Sequence, residues 1–236
     1  MIVSINQPAY LPWLGYFDRI HMSDIHIVLD HVQYEKNSMI NRNKVRTKQD
    51  WTWLTVPVKT KGNFGDLAIN KLKIDGAQAW AKKHFNTICF SYSKSKYFSQ
   101  YIDFFEHIYK EKEWSSISSI IREINNYILC ELKIKTEIIY SSDLDINTSK
   151  SQLLIDICNR FAATTYVSGP LGRDYLDDKL FSEKNMDVIY HDYQHPKYEQ
   201  VYDKFVSHMS IIDLMFNCGD NSLEILLNRG IKSYGK

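Results

Sequence analysis

Short runs of β-branched and aliphatic residues, each followed by a segment of helical length, recur at both ends of the chain and restrict the folds open to it. The first run, residues 2–5, stops at Asn6, Gln7 and Pro8. Pro12 then stands where the first turn of a helix reaching Met22 tolerates a missing N–H. Ser23 and Asp24 return the chain to a second strand that ends at Asp30. A later series gives strand 137–140, helix 149–161, strand 164–168, a helix after Arg173 and strand 187–190. Parallel neighbours need a crossover, usually helical, so the alternation predicts an α/β fold with a mostly parallel sheet flanked by helices. Between the two series, residues 77–132 read as a helical layer or insert, with Ile117, Ile121, Ile124 and Ile128 at the spacing of one helix face. Residues 51–58 and 67–74 read as two paired strands around a turn at Gly62 and Gly65. No repeat, low-complexity stretch or long linker interrupts the pattern, so residues 1–236 are expected to form a single α/β domain.

Composition narrows the function classes. Twenty-nine basic residues against 28 acidic ones give a net charge of +1, and the lysines are scattered rather than blocked. A nucleic-acid or membrane-binding surface is therefore not expected. Cys89, Cys130, Cys158 and Cys218 form no short-spaced pair, which argues against a zinc site, a redox motif or a disulfide framework. No resident metal or cofactor is expected. The first dozen residues carry Asn6, Gln7 and two prolines in place of a charged and then apolar leader, and no apolar run of about 18 residues follows. A cytoplasmic protein without membrane insertion is the expectation.

The densest polar grouping is DIHIVLDHVQYEKNSMINRN, residues 24–43. A core uses Ile25, Ile27, Val28 and Leu29 but has no use for Asp30, His31, Gln33, Asn41, Arg42 and Asn43, so polar groups crowded past a strand end suggest a site. Asp30 and His31 could serve as orienting group and general base. Asn41, Arg42 and Asn43 could clamp an anion, because a guanidinium presents a planar fork and flanking amides complete its hydrogen bonds. Ser168 to Gly172 lies between a strand and a helix and could cradle a phosphate, although it lacks both common glycine spacings. Near the end of the chain, Ser210, Asp213 and Asn217 form a polar stripe opposite Met209, Ile212 and Phe216. Cys218, beside that stripe, reads as a buried helix-end residue before a thioester nucleophile.

The stretches INQPAYLPWLGYFDRI, LDHVQYEKNSMINRN, WLTVPV, WAKKHFNTI, YVSGPLGRDYL, HPKYEQ and SHMSIIDLMFNCG, in order along the whole chain, resemble the WbqC-like family of bacterial proteins. That resemblance implies a place in O-antigen or lipopolysaccharide biosynthesis, with a glycine-transferase role suggested for some members. It puts the family pattern on Gln7, Tyr16, Asp30, Gln33, Asn41, Arg42, Asn43, Gly169, Tyr198, Gln200, Ser210, Asp213 and Asn217, while His31 stands where many relatives carry a second aspartate. The expected function is an acyl or aminoacyl transferase acting on the amine of a nucleotide-linked amino sugar. Its donor would be an acyl or aminoacyl donor, a carrier-protein thioester being one form. Cast in roles, His31, Asp30, Gln7 and Asp213 are catalytic, and Asn41, Arg42, Asn43, Gln33, Tyr16, Gly169, Tyr198, Gln200, Ser210 and Asn217 bind substrate. A non-catalytic sugar-nucleotide or carrier-protein binding module is the alternative. A nucleotidyl-transfer enzyme ranks lower, because the first loop has no HxGH element.

Overall fold

The computed structural model describes residues 1–62, 67–77 and 79–227. In chain order the elements are β1 (Ile2–Asn6), α1 (Leu14–His21), β2 (Ile25–Val28), β3 (Arg42–Arg46), β4 (Trp51–Thr55), α2 (Trp80–Tyr92), α3 (Phe98–Glu106), α4 (Ile117–Glu131), β5 (Glu137–Tyr140), α5 (Lys150–Arg160), β6 (Thr165–Ser168), α6 (Asp178–Ser182), β7 (Asp187–Tyr190), α7 (Ile211–Cys218) and α8 (Ser222–Leu227).

Five strands form one parallel sheet in the order β5-β2-β1-β6-β7. The α/β expectation therefore holds, with helices on both faces. Numbering these five strands alone gives 3-2-1-4-5, the doubly wound order, and the direction of winding reverses between β1 and β6. The strands are aliphatic because both faces are covered. On one face Val3, Ile5, Ile25, Ile27 and Tyr166 pack against Leu153, Ile157 and Cys158 of α5 and Phe181 of α6. On the other, Ser4 and His26 meet α1, where Ser4 Oγ lies 2.7 Å from His26 Nδ1 and 2.6 Å from Ser23 Oγ. Burial lowers the His26 pKa to about 3, so this histidine is a neutral core residue.

A second, larger core joins α1 to the helical layer and to β3 and β4. The expected insert at 77–132 is α2, α3 and α4, with a π turn at His107–Glu111 between the last two. It is fastened by a buried chain of hydrogen bonds in which Tyr10 reaches Tyr109 and His84, and His84 reaches the Thr55 carbonyl. Phe216 of α7 stacks on Tyr92 and touches Phe98, Tyr101 and Phe105, so α7 is a core helix of this layer.

The strand pairing after residue 40 differs from expectation. Residues 51–55 pair antiparallel with 42–46 and not with 67–74. The latter stretch forms a 3-10 turn at Ile69–Lys71 and isolated bridges, including Val58 with Ile74. Leu67, Ile69, Leu72 and Ile74 are buried as single anchors at uneven spacing, which a continuous strand face cannot supply. The charged sequence of β3 is a strand because Asn43 and Val45 point inward, while Arg42 and Lys44 lie over the indoles of Trp53 and Trp51. Gly65, the second half of the expected turn, lies outside the described residues.

Candidate functional site

In a doubly wound sheet, side chains from several loops converge at the carboxyl ends of the strands, where the strand order reverses. Asn6 ends β1 and Gln7 follows it, Asp30 and His31 come just after β2, Ser141 and Ser142 follow β5, Ser168 ends β6 with Gly169 next, and His191 follows β7. Of the expected residues, this edge brings together Gln7, Asp30, His31 and Gly169.

Asp30 is almost fully buried, and its carboxylate is saturated. Oδ1 accepts from Ser142 N at 2.9 Å and Ser141 Oγ at 3.1 Å, and Oδ2 accepts from Ser142 Oγ at 2.9 Å. The backbone N–H of Asp30 donates to Ser141 Oγ at 3.0 Å, and His31 Nδ1 lies 2.7 Å from the same oxygen. With its one proton given to the carboxylate, Ser141 Oγ can only accept from the ring. That assignment puts the imidazole proton on Nδ1 and leaves Nε2 as a lone pair. Ser141 is buried and oriented by its acid, so it acts as a link and not as a nucleophile. His31 is half-buried, and Nε2 has no hydrogen-bond partner among the described residues. The sequence singled out Asp30 and His31; the serine that lies between them was not visible in it.

The anion-clamp triplet is placed differently from what its density suggests. Asn41 donates to the Val56 carbonyl and accepts from the Tyr34 hydroxyl, while Asn43 donates to the Leu11 carbonyl and accepts from Lys44 N. Both amides thus hold loops in place. Arg42 lies 4.4 Å from the Trp53 ring centroid and donates to the Asn37 carbonyl, out on the β3–β4 ribbon. Gln33 bridges to Leu67 N and the Tyr34 carbonyl. Tyr16 is buried against Phe17 and His26, and burial raises its pKa well beyond the usual phenol value.

The polar stripe of α7 belongs to another network. Ser210 is the N-cap, its hydroxyl oxygen accepting from Ile212 N, and Asn217 donates to the Asp213 carbonyl one turn back. Asp213 is fully buried, and its Oδ2 accepts from Tyr198 Oη and Gln200 Nε2, both at 2.7 Å, with Tyr92 and Arg46 also facing it. Gln200 in turn closes a loop by bonding Val206 N and O. Asp213 thereby pins residues 191–209, which run without regular structure from the end of β7 to α7. Burial raises its pKa to about 6 against the opposing pull of those partners.

Burial also pushes the Cys218 thiol up to about 11, and Asp213 adds to the shift. We expect Cys218→Ser to keep activity within a few-fold and intact-mass analysis to show slow alkylation at neutral pH. Rapid stoichiometric labelling that abolishes turnover would make this thiol a nucleophile.

Two groups at the edge, Arg19 and Asp18, escaped the sequence, and a third, Ser168, begins the stretch expected to cradle a phosphate. Arg19, in the last turn of α1, is 7% exposed and lies against Gly169. Asp18 accepts from His191 Nε2 at 2.6 Å, which ties α1 to the end of β7. Ser168 Oγ is buried next to the Tyr166 hydroxyl. A Cβ on Gly169 would lie 2.4 Å from an Arg19 nitrogen, and one on Gly172 2.1 Å from Ser168 Oγ. The two glycines serve close approach, since Gly169 has φ −68° and Gly172 N is already bonded to the Gly169 carbonyl. A basic residue at a helix end looks like an ordinary complement to the helix dipole, so nothing local in the sequence marks Arg19.

A cavity of about 430 Å³ lies elsewhere, between α2 and the β3–β4 turn, lined by Thr47, Lys82, Lys83, Asn86, Phe90 and Ser91. None of the edge residues reaches it, and it holds no base for neutral pH. Among the described residues no helix is long and apolar enough to cross a membrane, and no group of three or more metal-ligating side chains converges.

Sheet order and the gathering of free polar groups at its reversal place the chain among doubly wound α/β proteins. It belongs to the WbqC-like protein family, whose pattern matches residues 7–225. It is 38% identical over 225 residues to "Uncharacterized protein Rv1507c" of Mycobacterium tuberculosis (strain ATCC 25618 / H37Rv), covering 95% of this chain and 96% of that protein. No solved structure matches it significantly.

Proposed function

We propose that the protein is an enzyme of bacterial surface-polysaccharide (O-antigen) biosynthesis that acylates or aminoacylates the amine of a nucleotide-linked amino sugar, glycyl transfer being one form of the reaction. The observation that carries this reading is the bare Nε2 of His31, its tautomer set through Ser141 by Asp30, at the sheet edge beside Gln7. A sugar amine is protonated in water and must lose a proton before it can attack. His31 Nε2 takes that proton. The neutral amine then attacks the donor's acyl carbonyl, and the C–N bond forms as the bond to the donor's leaving group breaks. As the tetrahedral adduct collapses, the attacking nitrogen releases its second proton to water and the imidazolium returns the first to the leaving group, leaving a neutral amide. Gln7, whose amide has no hydrogen-bond partner among the described residues, supplies a donor for the tetrahedral oxyanion.

Mixing the protein with nucleotide-linked amino sugars and thioester or aminoacyl donors, then reading product masses, tests the proposal. A mass gain equal to the acyl group on the sugar nucleotide is expected. Retention of the sugar nucleotide without any mass change would instead favour a non-catalytic binding module.

A further inference from the structure

Arg19 poses a physical problem that the rest of the fold leaves unsolved. Arg19 is 7% exposed as a residue, yet no carboxylate is within ion-pair distance and no hydrogen bond from its guanidinium is made among the described residues. Nε is sealed from solvent and unpartnered. The adjacent carboxylate, Asp18, is turned to His191 at 2.6 Å. Burial is the main influence on the Arg19 pKa and lowers it, and the charge of Asp18 is the smallest of the influences that raise it. Buried arginines elsewhere in the chain are treated otherwise: Arg46 donates to the carbonyls of Thr47, Asp50 and Lys204. A buried charge left without partners costs several kcal/mol unless something supplied from outside satisfies it.

Position says what that something is. The guanidinium lies against Gly169, at the carboxyl end of β6, where the absent side chain leaves room for close approach. This is the point between β1 and β6 at which the winding reverses. Ser168 Oγ, buried next to the Tyr166 hydroxyl, and the amide side chains of Asn6 and Gln7 stand at the same two strand ends. A planar fork of cationic donors with neutral hydroxyl and amide donors around it, and no free acid, suits phosphate oxygens.

We propose that Arg19, Gly169 and Ser168 form the seat for the diphosphate of a nucleotide-linked ligand, a role separate from that of Arg42. The assignment deepens the reading of a sugar-nucleotide enzyme and rests on it for the identity of the ligand, though the anion chemistry stands alone. Neighbouring strands are about 4.8 Å apart, so the end of β2 with His31 lies roughly 10 Å from the end of β6. That span matches the reach from a diphosphate to a substituent on the attached hexose.

Titration of the purified protein with inorganic pyrophosphate and with a nucleoside diphosphate, read by calorimetry and by the rise in Tm, tests the seat. Wild type should bind both and melt higher in their presence. Arg19→Met should weaken both by about 30-fold or more, the usual consequence of removing one side of a buried charge contact. It should not lower Tm without ligand, because it removes an unsatisfied buried charge; a structural arginine would give the opposite. Gly169→Ala displaces only the flexible tip of Arg19, so it should fold normally and still lose pyrophosphate affinity. Arg42→Met should keep that affinity. Wild type that ignores pyrophosphate, or an Arg19→Met variant that binds it as wild type does, overturns the proposal. Intact binding without acyl transfer would count against the reaction assigned to His31 and leave this seat standing.

Discussion

His31→Gln is expected to lower acyl transfer by about 100-fold to 10,000-fold while leaving nucleoside diphosphate affinity unchanged, since general-base catalysis contributes on that order and the ring touches no phosphate. Glutamine retains a donor near Ser141 and so preserves the loop, but it cannot accept a proton. Ser141→Ala offers a finer readout. Without the hydroxyl, Asp30 keeps Ser142 N and Oγ as partners, whereas the imidazole loses the contact that sets its tautomer. Its rate should fall less than that of His31→Gln, and the acidic limb of its pH profile should move. If both variants turned over like wild type, the base would have to be sought elsewhere.

Buried Asp213 should draw stability down as pH rises from about 4 through about 6, against the opposite pull of His26 and His84, which burial keeps neutral in the fold. Its pKa in the folded protein, raised to about 6 from the ordinary 3.8, means that the folded state holds a proton there that the unfolded chain has released. Between those values the folded state binds more protons, so unfolding becomes easier with rising pH. The contribution is fully present below the unfolded value and lost as pH passes the folded one. Its size is about 3 kcal/mol at about 1.4 kcal/mol per unit, an upper figure because Tyr198 and Gln200 adjust around the charge. Asp213→Asn removes this contribution, so its stability should gain on wild type across the window and equal or exceed it above pH 7. Urea unfolding from pH 4.5 to 7.5 supplies the comparison, and parallel slopes for the two proteins would remove Asp213 as the cause.

The sheet was legible because parallel strands covered on both faces must be aliphatic. Residues 137–140 and 187–190 are strands with the expected bounds, and β1, β2 and β6 differ by a residue or two at their ends. Pairing was less legible. Arg42, Lys44 and Arg46 hide a strand because the first two are stabilised by indoles on the partner strand and the third by Tyr202 and distant carbonyls, which no local pattern records. Residues 67–74 carry the β-branched signal but spend it on separate anchors. At the site, Asp30 and His31 stood out as polar groups past a strand end. Their link, Ser141, is an ordinary serine until β5 is placed beside β2. Arg19 is hidden for the same reason: its meaning depends on Gly169, far along the chain.

The centre of the sheet also dictates an order of events during synthesis. β1 takes β2 as one neighbour almost at once, but its other neighbour is β6, with Ile2 opposite Thr165 and Ser4 opposite Val167. Until residue 168 has left the ribosome, β1 is an open edge, and aliphatic edges of that kind recruit other chains. A nascent chain stalled within α2 to α5 would therefore expose the innermost strand of the finished molecule. Bacteria expressing this protein should need a chaperone most while the middle third is being made. The same long-range closure should make refolding from denaturant slow for a chain so rich in helix.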